Sequence, residues 1–413
     1  MNPTRQLHNL GQSLWLDNIT RGLLTSGGLS RYISEFSVTG LTSNPTIFNR
    51  AIGGTSLYDA AIQRKAAEGK SGEDLFFELA LEDLTRAADL FRPIYDSTDG
   101  LDGWVSLEVS PLLASDPVGT IKAAAQLHAR AQRPNLFIKI PGTPEGLPAI
   151  EASIFASVPV NVTLLFSCDQ YSAAAEAYMR GIERRIEAGL DPRIGSVASL
   201  FISRWDKAAG GTAPSETSKA LNTLRARRIY GIDRDAGIDP QIAAAMAMSD
   251  SRSDEADDGA VPADLRNRLG IAIGQRTYRA YRDLLESPRW RALAAAGAHP
   301  QQLLWASTGV KDPLAPNTLY VEALAAPDTI NTLPEMTLRA FAEHGELNRA
   351  MARNGGDCEV VLARFAHAGI DIDALALKLQ RDGAQAFVKS WKEMLARIAE
   401  KSALLASAEA AQQ

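Results

Sequence analysis

The stretch Asn135-Leu-Phe-Ile-Lys-Ile-Pro-Gly-Thr143 decides how this chain is read. Leu136, Phe137, Ile138 and Ile140 are strand formers and Pro141-Gly142 ends the run, so it reads as a buried β-strand. Lys139 sits near the C-terminal end of that strand, between two isoleucines. Apolar surroundings disfavour an ammonium, lower its pKa and release a neutral, nucleophilic amine, which is what imine-forming enzymes use. The structural alternative is a lysine whose head snorkels out of a strand end. Where the strand lies in the fold separates the two.

Strands and helices alternate on both sides of it. Upstream, Leu14-Trp-Leu-Asp-Asn-Ile19 and Gly40-Leu-Thr-Ser-Asn-Pro45 read as the first two strands, and Trp104-Val-Ser-Leu-Glu-Val109 as the third. Residues 46–98 carry a helical pattern, with Ser71-Gly-Glu-Asp74 as a cap for the region from Leu75 to Ile94. Asp116-Pro117 opens a helix to about Ala131, and Thr143-Pro144 another to about Ala156. Downstream, Val160–Phe166, Gly195–Ile202, Gln302–Ser307 and Asp328–Thr332 read as strands five to eight, and Ser167-Cys-Asp-Gln170 has the capping-box form. The last helix is expected over 384–405, with a frayed tail at 406–413.

Alternation of this kind argues for a parallel sheet, and eight units in one chain argue for a closed (β/α)8 TIM barrel in a single domain, 1–413, with additional helices. The runner-up is an open α/β sheet. The rhythm breaks between strands six and seven, where the connection is far longer than a usual crossover. Residues 207–262 therefore read as an insertion, with helical material at 215–248 and an exposed acidic loop at 249–259 that has five acids and one Arg.

Bulk properties narrow the function. The chain has 413 residues and is 46% hydrophobic and 22% charged, an ordinary globular composition. A net charge of -6 and the lack of a basic, aromatic-interleaved stretch argue against a nucleic-acid partner. No apolar run approaches the ~20 residues of a membrane span, and Met1–His8 lacks a signal-peptide core. Cys168 and Cys358 stand far apart, which favours a reducing cytoplasm. The five histidines have no metal-ligand spacing, so no metal site is expected.

In a parallel barrel the active site lies where the strands end. The polar residues there are Asp17, Asn44, Glu108, Lys139, Asn161, Thr163, Ser199, Arg204 and Ser307. Singly, several have structural explanations: Asp17 as a helix cap, Asn44 as an Asx turn before Pro45, Glu108 as an outward strand residue, Arg204 as a surface partner of Asp206. Together they bring a lysine, two carboxylates and several hydroxyls and amides to one face, a set suited to imine chemistry with acid–base support.

Five blocks also carry a family resemblance: Leu16-Asp-Asn-Ile-Thr-Arg21, Gly40-Leu-Thr-Ser-Asn-Pro-Thr-Ile-Phe48, Phe137-Ile-Lys-Ile-Pro-Gly-Thr143, Asn161-Val-Thr-Leu-Leu-Phe-Ser167 and Ala198-Ser-Leu-Phe-Ile-Ser-Arg204. They resemble, in order, the signature blocks of transaldolase. Trp305-Ala-Ser-Thr-Gly-Val-Lys-Asp-Pro313 and Asn331-Thr-Leu-Pro-Glu335 look closest to the longer bacterial branch. The resemblance implies transfer of a dihydroxyacetone unit from sedoheptulose 7-phosphate or fructose 6-phosphate to an aldose phosphate, with no cofactor or metal. It makes Lys139 the Schiff-base residue, Glu108 the proton shuttle through a water held with Thr163, and Asp17 the acid–base at the cleaved bond. Asn44, Asn161, Ser199 and Phe201 would hold the dihydroxyacetone part, and Arg204 and Ser307 the phosphate. Shorter-branch relatives have an arginine just after the equivalent of Ser307. This chain reads Thr308-Gly309-Val310-Lys311 there, which leaves Lys311 to supply the second charge. Partners are then sugar phosphates alone, for a monomer or homodimer. The alternatives are a fructose-6-phosphate aldolase, in which a tyrosine replaces the carboxylate of Glu108, and a catalytically silent barrel.

Overall fold

The computed structural model describes residues 2–210 and 261–412. The expected helical material at 215–248 and the acidic loop at 249–259 lie outside the described residues. Eight strands form one closed parallel barrel in sequence order: β1 Gln12–Leu16, β2 Val38–Thr42, β3 Val105–Glu108, β4 Leu136–Pro141, β5 Val160–Leu165, β6 Ser196–Phe201, β7 Gln301–Ala306 and β8 Thr329–Leu333. Closure is explicit in the register, because β1 pairs with β2 (Trp15 with Gly40) and with β8 (Gln12 with Thr329). That pairing excludes the open sheet. Every residue of β2, β3, β4, β5, β6 and β8 is buried, as expected for strands covered on both faces.

The first two strands end earlier than expected. The first strand ends at Leu16 and not at Ile19, since Thr20 accepts a hydrogen bond from Leu23 N–H and caps the helix Arg21–Thr25. The second ends at Thr42, because Asn44 caps the helix Pro45–Gly53. Ser167 and Gln170 form the expected reciprocal capping box. Ser71 stands at the N-cap of Gly72–Ser97 but makes no side-chain cap hydrogen bond. The helix expected from Thr143-Pro144 begins only at Leu147. Gly40 is required by packing: a Cβ there would lie 2.6 Å from the Trp15 indole and 2.7 Å from the Trp104 carbonyl oxygen.

The C-terminal helix runs from Ile372 to Gln412, longer at both ends than the expected 384–405. It lies against the C-terminal side of the barrel. Ser390 bonds Thr46, Arg397 bonds Asn49, and the Trp391 indole donates to Glu73. Trp391, Met394 and Ile398 are fully buried beneath it. Among the described residues no helix is long and apolar enough to cross a membrane.

Candidate active site

Strand register places Glu108 beside Lys139, and Lys139 beside Asn161, on three consecutive strands. The Lys139 ammonium donates to the Ser43 carbonyl at 3.1 Å and lies 3.5 Å from Glu108 Oε2. Both side chains are buried, at 7% and 5% exposure, so the pair is shielded from bulk water. Burial pushes the Glu108 carboxyl up from its ordinary value against the pull of Lys139 and Arg204. Its Oε2 and the Thr163 hydroxyl are both buried without a hydrogen-bond partner among the described residues.

Above this layer a cavity of about 340 Å³ opens at the strand ends, lined by Asp17, Asn44, Lys139, Thr163, Ser199, Phe201, Arg204, Ser307 and Lys311. Two of the expected residues stand behind its wall. Glu108 reaches it through Lys139. Asn161 accepts from Ser199 Oγ at 2.7 Å and donates to Ser106 Oγ at 3.1 Å, so it orients Ser199, which lines the cavity.

The local explanations resolve individually. Asp17 caps nothing; burial pushes its carboxyl up, opposed by Lys139, Lys311 and Arg204. Asn44 does cap, accepting from Ile47 N–H at 3.0 Å, and also lines the cavity. Arg204 does not pair with Asp206. Its guanidinium lies over Phe201 (4.7 Å) and Phe387 (5.9 Å), a stacked placement that holds a planar cation without neutralising it. Asp206 instead accepts from Leu269 N–H, Gly270 N–H and the Tyr320 hydroxyl. Ser307 adopts a left-handed backbone (φ 58°), and its hydroxyl meets that of Ser203 at 3.2 Å.

Lys311 lines the same cavity and senses Asp17, Arg204, Lys207 and Arg50 electrostatically; burial draws its pKa down. Arg50 and Phe387 are cavity residues that sequence reasoning did not single out. Arg50 lies on the helix begun by the Asn44 block, so that block was the available signal. Phe387 comes from the C-terminal helix, with no local signal. The arrangement joins a buried amine–carboxylate pair, a second carboxylate, Asp17, and three cations, Arg50, Arg204 and Lys311, on one cavity.

The family model described as transaldolase/fructose-6-phosphate aldolase matches residues 14–398. The chain belongs to this family. It is 40% identical over 403 residues to a protein named transaldolase from Thermobifida fusca, covering 97% of this chain and 98% of that one. It is 39% identical over 399 residues to one of the same name from Thiobacillus denitrificans, covering 96% and 100%. A third, from Trichodesmium erythraeum, is 36% identical over 399 residues. Similarity at this level along whole chains makes this an enzyme of the transaldolase class.

Proposed function

We propose that this enzyme moves a dihydroxyacetone unit from a ketose phosphate to an aldose phosphate through a Schiff base on Lys139. The observation that carries the reading is the buried Lys139–Glu108 pair, 3.5 Å apart in register on adjacent strands, with Asp17 at the same cavity.

The Lys139 amine adds to the C2 ketone of fructose 6-phosphate or sedoheptulose 7-phosphate and gives a carbinolamine. Loss of its hydroxyl as water needs a proton, and Glu108 supplies it through a water shared with Thr163. The burial that raises the Glu108 pKa makes its protonated form accessible for this step. Asp17 then takes the proton from the C4 hydroxyl. The C3–C4 bond breaks, and its electron pair flows to the iminium nitrogen to give an enamine and a free aldose phosphate. Attack of the enamine carbon on the acceptor aldehyde, with the proton returned from Asp17, reverses the sequence. Hydrolysis of the new imine frees the product.

Asn44 and Ser199, the latter oriented by Asn161, bind the dihydroxyacetone hydroxyls, and Phe201 closes the wall beside them. Arg204, Ser307 and Lys311 bind the phosphate as a fixed fork, a hydroxyl and a point charge. The two free cysteines fit work in a reducing cytoplasm, as a monomer or homodimer. A release of free dihydroxyacetone is the second reading, because the family includes such aldolases. Glu108 favours transfer, since in those relatives a tyrosine stands in its place. Borohydride added with fructose 6-phosphate is expected to fix a three-carbon or six-carbon adduct on Lys139. With erythrose 4-phosphate present, sedoheptulose 7-phosphate is expected in preference to free dihydroxyacetone. An adduct on another lysine, or normal turnover by Lys139→Ala, overturns the reading.

A further inference from the structure

β5 does not finish as a regular strand. Its pairing with β6 shifts register between Val162 and Leu165, and Leu164 inside the shift adopts φ 61°, a left-handed conformation that a leucine rarely takes. This irregularity directly follows Thr163, a residue of the cavity wall. Such backbone persists only when the surroundings hold it.

The hold comes from the far end of the chain. Gln380, buried on the C-terminal helix, donates its side-chain amide to two carbonyl oxygens, Leu164 O at 3.0 Å and Gly142 O at 3.1 Å. Gly142 in turn donates its N–H to Thr163 O at 2.7 Å. One amide nitrogen therefore ties together the ends of the two strands that carry Lys139 and Thr163. Gly383, one turn along the helix, permits the approach: a Cβ there would come within 3.0 Å of Leu164 and 3.1 Å of the Arg204 guanidinium.

We propose that Gln380 is a positioning residue for the Thr163 hydroxyl, and through it for the Glu108-linked proton transfers of imine formation. The proposal rests on the functional reading above. Without the amide, two buried carbonyls lose their donor and Leu164 is free to relax out of its left-handed conformation, which moves Thr163. Phosphate binding, carried by Arg204, Ser307 and Lys311, is left in place. Displacements of this kind, on the order of 1 Å, lower rates by about 10²-fold.

The test compares Gln380→Leu with Gln380→Glu, and places each beside Thr163→Ala. Gln380→Leu is expected to lower kcat by about 10- to 100-fold with KM nearly unchanged, and to slow borohydride-trapped imine formation in step. Combined with Thr163→Ala it is expected to add little, whereas combined with Ser307→Ala the losses are expected to multiply. Gln380→Glu keeps the shape. It is expected to be worse at pH 8, where a carboxylate faces two carbonyls, and partly restored at pH 6, where it regains a donor. A Gln380→Leu enzyme with lowered Tm and near-normal kcat, or losses that multiply with Thr163→Ala, overturns the proposal. Failure of the Schiff-base reading itself would appear separately, as the wrong lysine labelled in the unsubstituted enzyme.

Discussion

Glu108 and Lys139 occupy directly paired positions on β3 and β4, and their charged atoms lie 3.5 Å apart in a buried layer beneath the cavity floor. The separation is within ion-pair range but long for a hydrogen bond, and Glu108 Oε2 has no hydrogen-bond partner among the described residues, which leaves it open to a second proton path. Replacing Glu108 with Gln keeps the volume and removes the proton. The expected outcome is a loss of about 10²- to 10⁴-fold in kcat, the range for general acid–base groups, with imine formation slowed as much as overall turnover. Rapid-quench borohydride trapping measures this. Trapping at the normal rate in Glu108→Gln removes Glu108 from carbinolamine dehydration.

Asp17 lines the same cavity, and in the proposed mechanism it acts after the imine exists. Asp17→Asn is therefore expected to form the Lys139 adduct but to fail at C3–C4 cleavage, with a kcat loss of about 10²- to 10⁴-fold. Mass spectrometry should then find the whole six-carbon ketose phosphate trapped on Lys139. A three-carbon adduct in normal amount would show that another group takes the C4 proton.

The depth to which sequence discloses this site follows the physics of each contact. Lys139, Glu108 and Asp17 are legible because strand ends are local features, and a parallel barrel sends all of them to one face. Asn44 shows why a cap and a place in the cavity lining are not exclusive: its side chain caps a helix while the residue lines the cavity. Arg204 looked like a partner for Asp206 because the two are close in sequence. The fold separates them, with Arg204 stacked between Phe201 and Phe387 and Asp206 satisfied by Leu269, Gly270 and Tyr320. Gln380 and Phe387 were illegible. Gln380 meets Leu164 across 216 residues, and no periodicity or cap reports a contact of that kind.

The cations that line the cavity divide by environment. Arg204 is held between two rings and faces a partly desolvated space, whereas Arg50 is exposed. Arg204→Ala is expected to raise KM for fructose 6-phosphate by about 10- to 100-fold, as befits a charged hydrogen bond, with kcat changed far less. Arg50→Ala is expected to raise it by only about 2- to 5-fold, an effect that added salt erases. Initial-rate kinetics at two ionic strengths separate them. An Arg50 effect as large and salt-resistant as that of Arg204 would make it a direct phosphate ligand.

Asp206 lies two residues beyond Arg204 and ties the short helix Ser203–Ala209 to the helices Leu269–Glu286 and Leu319–Ala323. Burial pushes its carboxyl up from 3.8 to about 6, despite the three donors it accepts from. A raised pKa means that ionisation is less favourable in the folded chain. The protonated group's contribution to stability is complete below the unfolded value near 3.8 and is lost as pH rises through about 6. That difference, about 2 units, corresponds to about 3 kcal/mol at most. Asp206→Asn forfeits one accepted hydrogen bond, about 1 kcal/mol, at every pH. Its amide carries no ionisation penalty. The Tm of Asp206→Asn is thus expected to lie below that of the unsubstituted protein near pH 3.8, with the deficit shrinking or reversing as pH rises to about 6 and holding steady above it. Thermal melts across that range decide it, because a deficit that stays constant with pH would mean that Asp206 does not titrate there.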